Sequence, residues 1–167
     1  MSPDDIPAAG RLDRIRSLLR GLPGPLGNGD MFAWVNQGDA DAVSAGAFAL
    51  IDGAGLVECL NPDRPGDAPG NPAELMARLT EIDEAAAMRI LIGLAATTLA
   101  YHARGRYEEG KARQVFEAMV RLLGPANRWW ANTDLTAWNP VTRHTFDALV
   151  VGAGNGIIVT VLAFDED

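Results

Sequence analysis

The segment Arg128-Trp129-Trp130-Ala131-Asn132-Thr133-Asp134-Leu135-Thr136-Ala137-Trp138-Asn139-Pro140 is the most unusual local composition in the chain. It holds three of the four tryptophans, interleaved with polar groups, and Arg143, His144 and Asp147 follow it. Tryptophan covers a large area at low entropic cost and is enriched at binding hot spots, although it also serves as core at helix–sheet junctions. By residue type, His144 with Asp134 or Asp147 could form a general acid/base pair, but their spacing does not single one out.

Other chemical motifs fail on their own requirements. Val150-Val151-Gly152-Ala153-Gly154-Asn155-Gly156 resembles the opening of a dinucleotide fingerprint. That fingerprint needs its glycines to start a helix, whose N-terminus meets the pyrophosphate. Here Ile157-Ile158-Val159-Thr160-Val161 follows, a strand-forming run, so the glycines read as a hairpin turn. Ser44 lacks the glycine at Ala42 that a nucleophile elbow requires. Asp39 and Asp41 begin like a calcium loop, but Val43 and Ser44 stand where a ligand and the turn glycine belong.

Cys59 is the only cysteine. That rules out an internal disulfide and a multi-cysteine zinc site, and its apolar neighbours suggest a small buried hydrophobe. His102 lies beside Arg104, Arg106 and Lys111, cations suited to a helix C-terminus or, alternatively, to an anion. No catalytic residue, metal site or cofactor is expected from these patterns.

The elements that would position these groups follow from periodicity. Leu12, Ile15, Leu18 and Leu19 mark a helix over 11–22, and 31–35 reads as a short strand. Ala47–Ile51 and Leu56–Leu60 flank Asp52-Gly53-Ala54-Gly55 as a second hairpin, and 61–70 is an exposed loop. Asn71-Pro72 caps a helix through Leu79. Thr80 caps a long apolar helix to about Ala103, closed by Gly105, and an amphipathic helix spans 107–123. Residues 128–131, 145–151 and 157–164 are β-like. Strands at both ends with helices between them predict one α+β domain over residues 1–167. Its sheet is mostly antiparallel, with the helices on one face.

The chain of 167 residues is 48% hydrophobic and 22% charged, ordinary globular values. Net charge is −8, unevenly spread. Residues 31–84 hold ten acids against Arg64 and Arg78, whereas 85–144 carry eight basic groups against four acids. A free nucleic-acid backbone is a poor partner for such a surface, and a basic protein is a better one. The acidic start of the chain and the absence of a long apolar run predict a cytoplasmic protein without membrane contact.

Three readings compete. In the first, the chain is a small acidic inhibitor, of the kind that serves as immunity protein against a bacterial toxin. Asp39, Asp41, Asp63, Asp67 and the tail Asp165-Glu166-Asp167 would supply charge, with Trp129 or Trp138 as anchor. In the second, Trp129, Trp130, Trp138, Asp134, His144 and Asp147 line a pocket for a small ligand or substrate. In the third, an exposed apolar patch pairs the chain with another subunit.

Overall fold

The structure, a computed structural model, describes residues 5–58 and 67–166. Helix α1 (Ala8–Leu19) leads into β1 (Gly24–Leu26) and β2 (Gly29–Gln37). A single turn, Ala40–Ala42, precedes α2 (Val43–Gly53) and α3 (Pro72–Ala77). Then come β3 (Thr80–Ile82), α4 (Glu84–Ala96), α5 (Glu109–Leu123), β4 (Arg128–Ala131), β5 (Phe146–Gly154) and β6 (Ile157–Asp165). The strands form one antiparallel sheet in the order β1-β2-β6-β5-β4-β3. The fold is α+β, with the central strands drawn from both ends of the chain.

Side chains alternate across this sheet and build two cores. Met31, Val35, Trp129, Val150, Val159 and Val161 face α1, α4 and α5. Trp130, Leu149, Val151, Ile158 and Leu162 face the opposite way, toward Val43, Ala47 and Ile51 of α2 and Leu75 of α3. Helices therefore cover both faces, not the one expected. The near-continuous apolar runs in β5 and β6 are the sequence counterpart, because a strand buried on both sides has no polar face to alternate.

In place of the expected hairpin over 47–60, the structure has a helix to Gly53 and a turn and coil from 54 to 58. Val43, Ala47 and Ile51 recur every four residues and are all buried, which is helical spacing. The glycines close that helix instead of turning a hairpin. Gly55 adopts φ +75°, its N–H reaches the Asp52 carbonyl, and the Leu56 N–H reaches Ile51. This is the αL helix stop that glycine favours. Cys59 and Leu60 lie outside the described residues.

The long helix is also shorter than expected at both ends. Thr80 pairs with Ala131 in β3, and Asp83 caps α4 by accepting from the Ala86 N–H at 2.7 Å. After Ala96 the β-branched Thr97 turns extended, with ψ 154°. Gly105 then folds back to donate to the Ala96 carbonyl at 2.8 Å.

The fingerprint-like glycines serve packing and turning. A Cβ on Gly152 would collide with the Trp129 ring, and one on Gly154 with the Leu123 carbonyl at the end of α5. Gly156 takes φ +74° in the β5–β6 turn. The hairpin expected there is present, with Gly154 opposite Ile157.

Candidate functional site

The segment between β4 and β5, residues 132–145, returns to the sheet through a buried hub. Asp147, 2% exposed, accepts from Asn132 Nδ2 at 2.7 Å on Oδ1. Its Oδ2 accepts the Val141 N–H at 3.1 Å, the Thr142 N–H at 2.8 Å and the Thr142 hydroxyl at 2.9 Å. Asn132 in turn accepts the Leu149 N–H and donates to the Asn139 carbonyl. Burial pushes the Asp147 carboxyl above its ordinary value, while these donors work in the opposite direction. Its oxygens are occupied in fastening the segment.

At the other end of the segment, Asp134 organises a tight turn. Its Oδ1 accepts from the Thr136 N–H and hydroxyl and from the Ala137 N–H. Those donors hold its carboxyl at about 2. The turn places Leu135 at φ +75°, a sparsely populated region for a residue with a Cβ. The Leu135 side chain is seated on α4 at Gly93, where an added Cβ would stand 2.9 Å from its Cδ1.

Trp138 leaves the same turn and packs its ring 5.2 Å from that of Phe146. Together with Thr97, His102 and Thr133, these residues line a cavity of about 270 Å³ beside the C-terminal end of α4. Tyr101 lies on the adjoining turn, between Ala100 and His102, which both reach the cavity. Among the described residues, the exposed large hydrophobics are Tyr101 at 63%, Leu135 at 39% and Trp138 at 38%. Leu135 and Trp138 line the cavity itself, and Tyr101 stands on the turn beside it. A larger groove of about 740 Å³ runs between α4 and α5 and shares Leu135 as a wall. Arg89, Arg113 and Arg121 alternate there with Glu84, Glu109 and Glu117, so no single chemistry dominates it.

The other expected site residues are dispersed. Trp129 is 1% exposed, with its Nε1 bonded to Asn127 Oδ1 at 2.6 Å, so it is core and unavailable as an anchor. Trp130 is buried on the opposite face of the sheet, under the Arg128 guanidinium. His144 stacks on Phe164 at 3.7 Å and meets Glu166 Oε1 at 2.5 Å. The pocket expected from Trp130, Asp134, His144 and Asp147 therefore does not form: Trp130 is packed in the α2–α3 core, Asp134 braces its own turn, His144 lies between Phe164 and Glu166, and Asp147 is occupied by Asn132, Val141 and Thr142.

The acids are divided too. Gln37 pairs with Ile157 and Asp30 with Phe164, so Asp39 and Asp41 follow one end of β2 while Asp165 and Glu166 sit at the other. Asp165 is buried and accepts from the Asn28, Ala100 and Glu166 N–H groups, so it ties loops together and offers no surface to a partner. Asp39, Asp41 and Asp67 are exposed. Asp63 and Asp167 lie outside the described residues.

Sequence reasoning missed Tyr101, Leu135, Phe146 and Gly93. The one available cue was Leu135, an isolated apolar residue in an otherwise polar turn. Among the described residues no cluster of His, Cys, Asp or Glu could hold a metal ion, and no helix is long and apolar enough to cross a membrane. No protein-family model matches the sequence, and searches of curated proteins and of solved structures find no match.

Proposed function

We propose that this chain is a cytoplasmic binding protein that acts by gripping another protein, as an inhibitor or immunity protein does, with the Tyr101–Leu135–Trp138 corner as its anchor. The observation that carries this reading is convergence. Two of the three exposed large hydrophobics among the described residues, Leu135 and Trp138, line one cavity with the loop that follows α4, and the third, Tyr101, stands on the turn of that loop. Tyrosine and tryptophan are the residue types over-represented among binding hot spots. The Asp134 turn and the Gly93 seat hold Leu135 in position before a partner arrives, which lowers the ordering cost of association. A net charge of −8 favours a basic partner and speeds encounter with it.

The test is co-expression of the full chain with the protein encoded beside it, followed by copurification at low salt. Retention that falls at least ~30-fold in Trp138→Ala, with the fold intact, is the expected result for a hot-spot residue. Absence of any retained partner, or retention indifferent to Tyr101→Ala and Trp138→Ala, removes the reading.

The cavity supports a second reading, a small apolar ligand bound beneath Trp138 against Phe146. Tryptophan fluorescence that responds saturably to a small aromatic probe, and loses that response in Trp138→Ala, would favour it over the protein partner.

A further inference from the structure

Among the described residues, the outer edge of β2 is open along most of its length. Strand β1 covers it only from Gly29 to Met31. Gly29 and Leu26 face each other across a two-residue turn, so β2 residues of odd number turn their backbone groups outward. Beyond Met31 these are Ala33, Val35 and Gln37. The Val35 carbonyl confirms the direction, because Arg16 of α1 reaches it from outside through Nε and Nη2 at 3.3 and 3.0 Å. Among the described residues no strand meets Ala33 or the Val35 N–H.

Such an edge is normally blunted by charge, proline or a bulge. Here Met31 to Gln37 contains no charged residue and no proline, in a chain that is 22% charged. Among the described residues Arg16 is the side chain that reaches over its middle, and Asp13 Oδ1 lies 4.0 Å from the Nη1 of the same guanidinium. Phe32 and Trp34 stack at 5.0 Å on one side of the strand and are only half-buried, which leaves room for a neighbouring side chain.

We infer that the β2 edge accepts an extended segment of a partner protein as a seventh strand, apolar in its centre and cationic at both ends. Main-chain pairing with Ala33, Val35 and Gln37 supplies affinity, and the Phe32–Trp34 stack selects the side chains beside it. The end charges follow from Asp30 at one end of the neutral run and the exposed Asp39 two residues beyond the other. A second copy of this chain fits poorly. Two-fold pairing about Trp34 would set Asp30 of one copy opposite Gly38 of the other, beside Asp39, and both copies carry −8. This surface is distinct from the Tyr101–Leu135–Trp138 corner and does not depend on it.

The experiment titrates the full chain with a peptide of alternating threonine and valine that carries two lysines at each end. Binding is expected, with slowed amide exchange at Ala33 and Val35. Ala33→Pro removes only an outward N–H and is expected to weaken binding at least ~tenfold. Arg16→Ala leaves the strand untouched and is expected to tighten binding severalfold. On the unaltered protein, replacing the peptide lysines by glutamates should weaken binding ~tenfold. Trp138→Ala should leave peptide binding unchanged, which separates this surface from the corner. Equal binding of the glutamate peptide, no loss on N-methylation of the peptide's central amides, or a dimer of the chain that Ala33→Pro dissociates would overturn the inference.

Discussion

The segment joining β4 to β5 has a base and a tip, and each carries one tryptophan and one aspartate in opposite surroundings. At the base, Trp129 is core and Asp147 is a buried hub. At the tip, Trp138 is exposed and Asp134 braces a solvent-facing turn. Burial raises the first carboxyl, and hydrogen bonds in water lower the second to about 2. The same side chains thus hold the fold at one end and remain free for a partner at the other. Residue type alone does not assign those tasks; depth does.

The contrast can be broken most forcefully at the base. Trp129→Ala empties a site shaped around Gly152 and is expected to destabilise by about 3–5 kcal/mol in chemical denaturation. Asp147→Ala strands the Asn132, Val141 and Thr142 donors and should cost about 2–4 kcal/mol. Asp147→Asn is not a rescue, because its NH2 would face either Asn132 Nδ2 or the Val141 and Thr142 N–H groups, all of them donors. A stability change under about 1 kcal/mol in either alanine variant would erase the distinction between base and tip.

Effects at the tip should be small in stability and large in recognition. Trp138→Ala is expected within about 0.5 kcal/mol of the parent, measured by the same denaturation, while partner retention falls. Gly93→Ala improves helix propensity by up to about 1 kcal/mol but pushes Leu135 off its seat. Its melting temperature should hold while partner binding weakens.

Acid titration offers the finest discrimination. The folded pKa of Asp134 lies below its ordinary value of 3.8. Its stabilising contribution is therefore complete above that value and fades as pH falls toward about 2. The stability gap between the parent and Asp134→Ala should narrow across that window. Asp147 works in the opposite sense. Its raised value means that the penalty of a buried charge is full above the folded pKa and is relieved as pH falls through it. A gap for Asp134→Ala that widens in acid would contradict its role as a charged brace.

Much of the architecture was legible in the sequence because it rests on local signals. The β5–β6 hairpin announced itself through Ile157–Val161 after a glycine-rich turn, and α5 through its apolar stripe. Helix α2 was hidden because Ala47–Ile51 and the glycines after it satisfy a hairpin template within a short window. The Val43–Ala47–Ile51 spacing shows only over a longer one. The site was less legible for a different reason. Trp129, Trp130 and Trp138 look alike in the sequence, and only the parity of β4 and the bend beyond it decide which one meets solvent. Tyr101 and Leu135 are far apart in the sequence, and nothing local connects them.

The pairing of β2 with β6 joins residues more than a hundred positions apart, Asp30 with Phe164 and Gln37 with Ile157. During synthesis, β2 therefore emerges from the ribosome long before its inner neighbour exists. Its aromatic side chains must wait through the whole helical middle of the chain. High contact order of this kind slows folding and exposes the early strand to mispairing. The β5–β6 hairpin, made after every other strand of the sheet, is thus the keystone that commits the nascent chain to it.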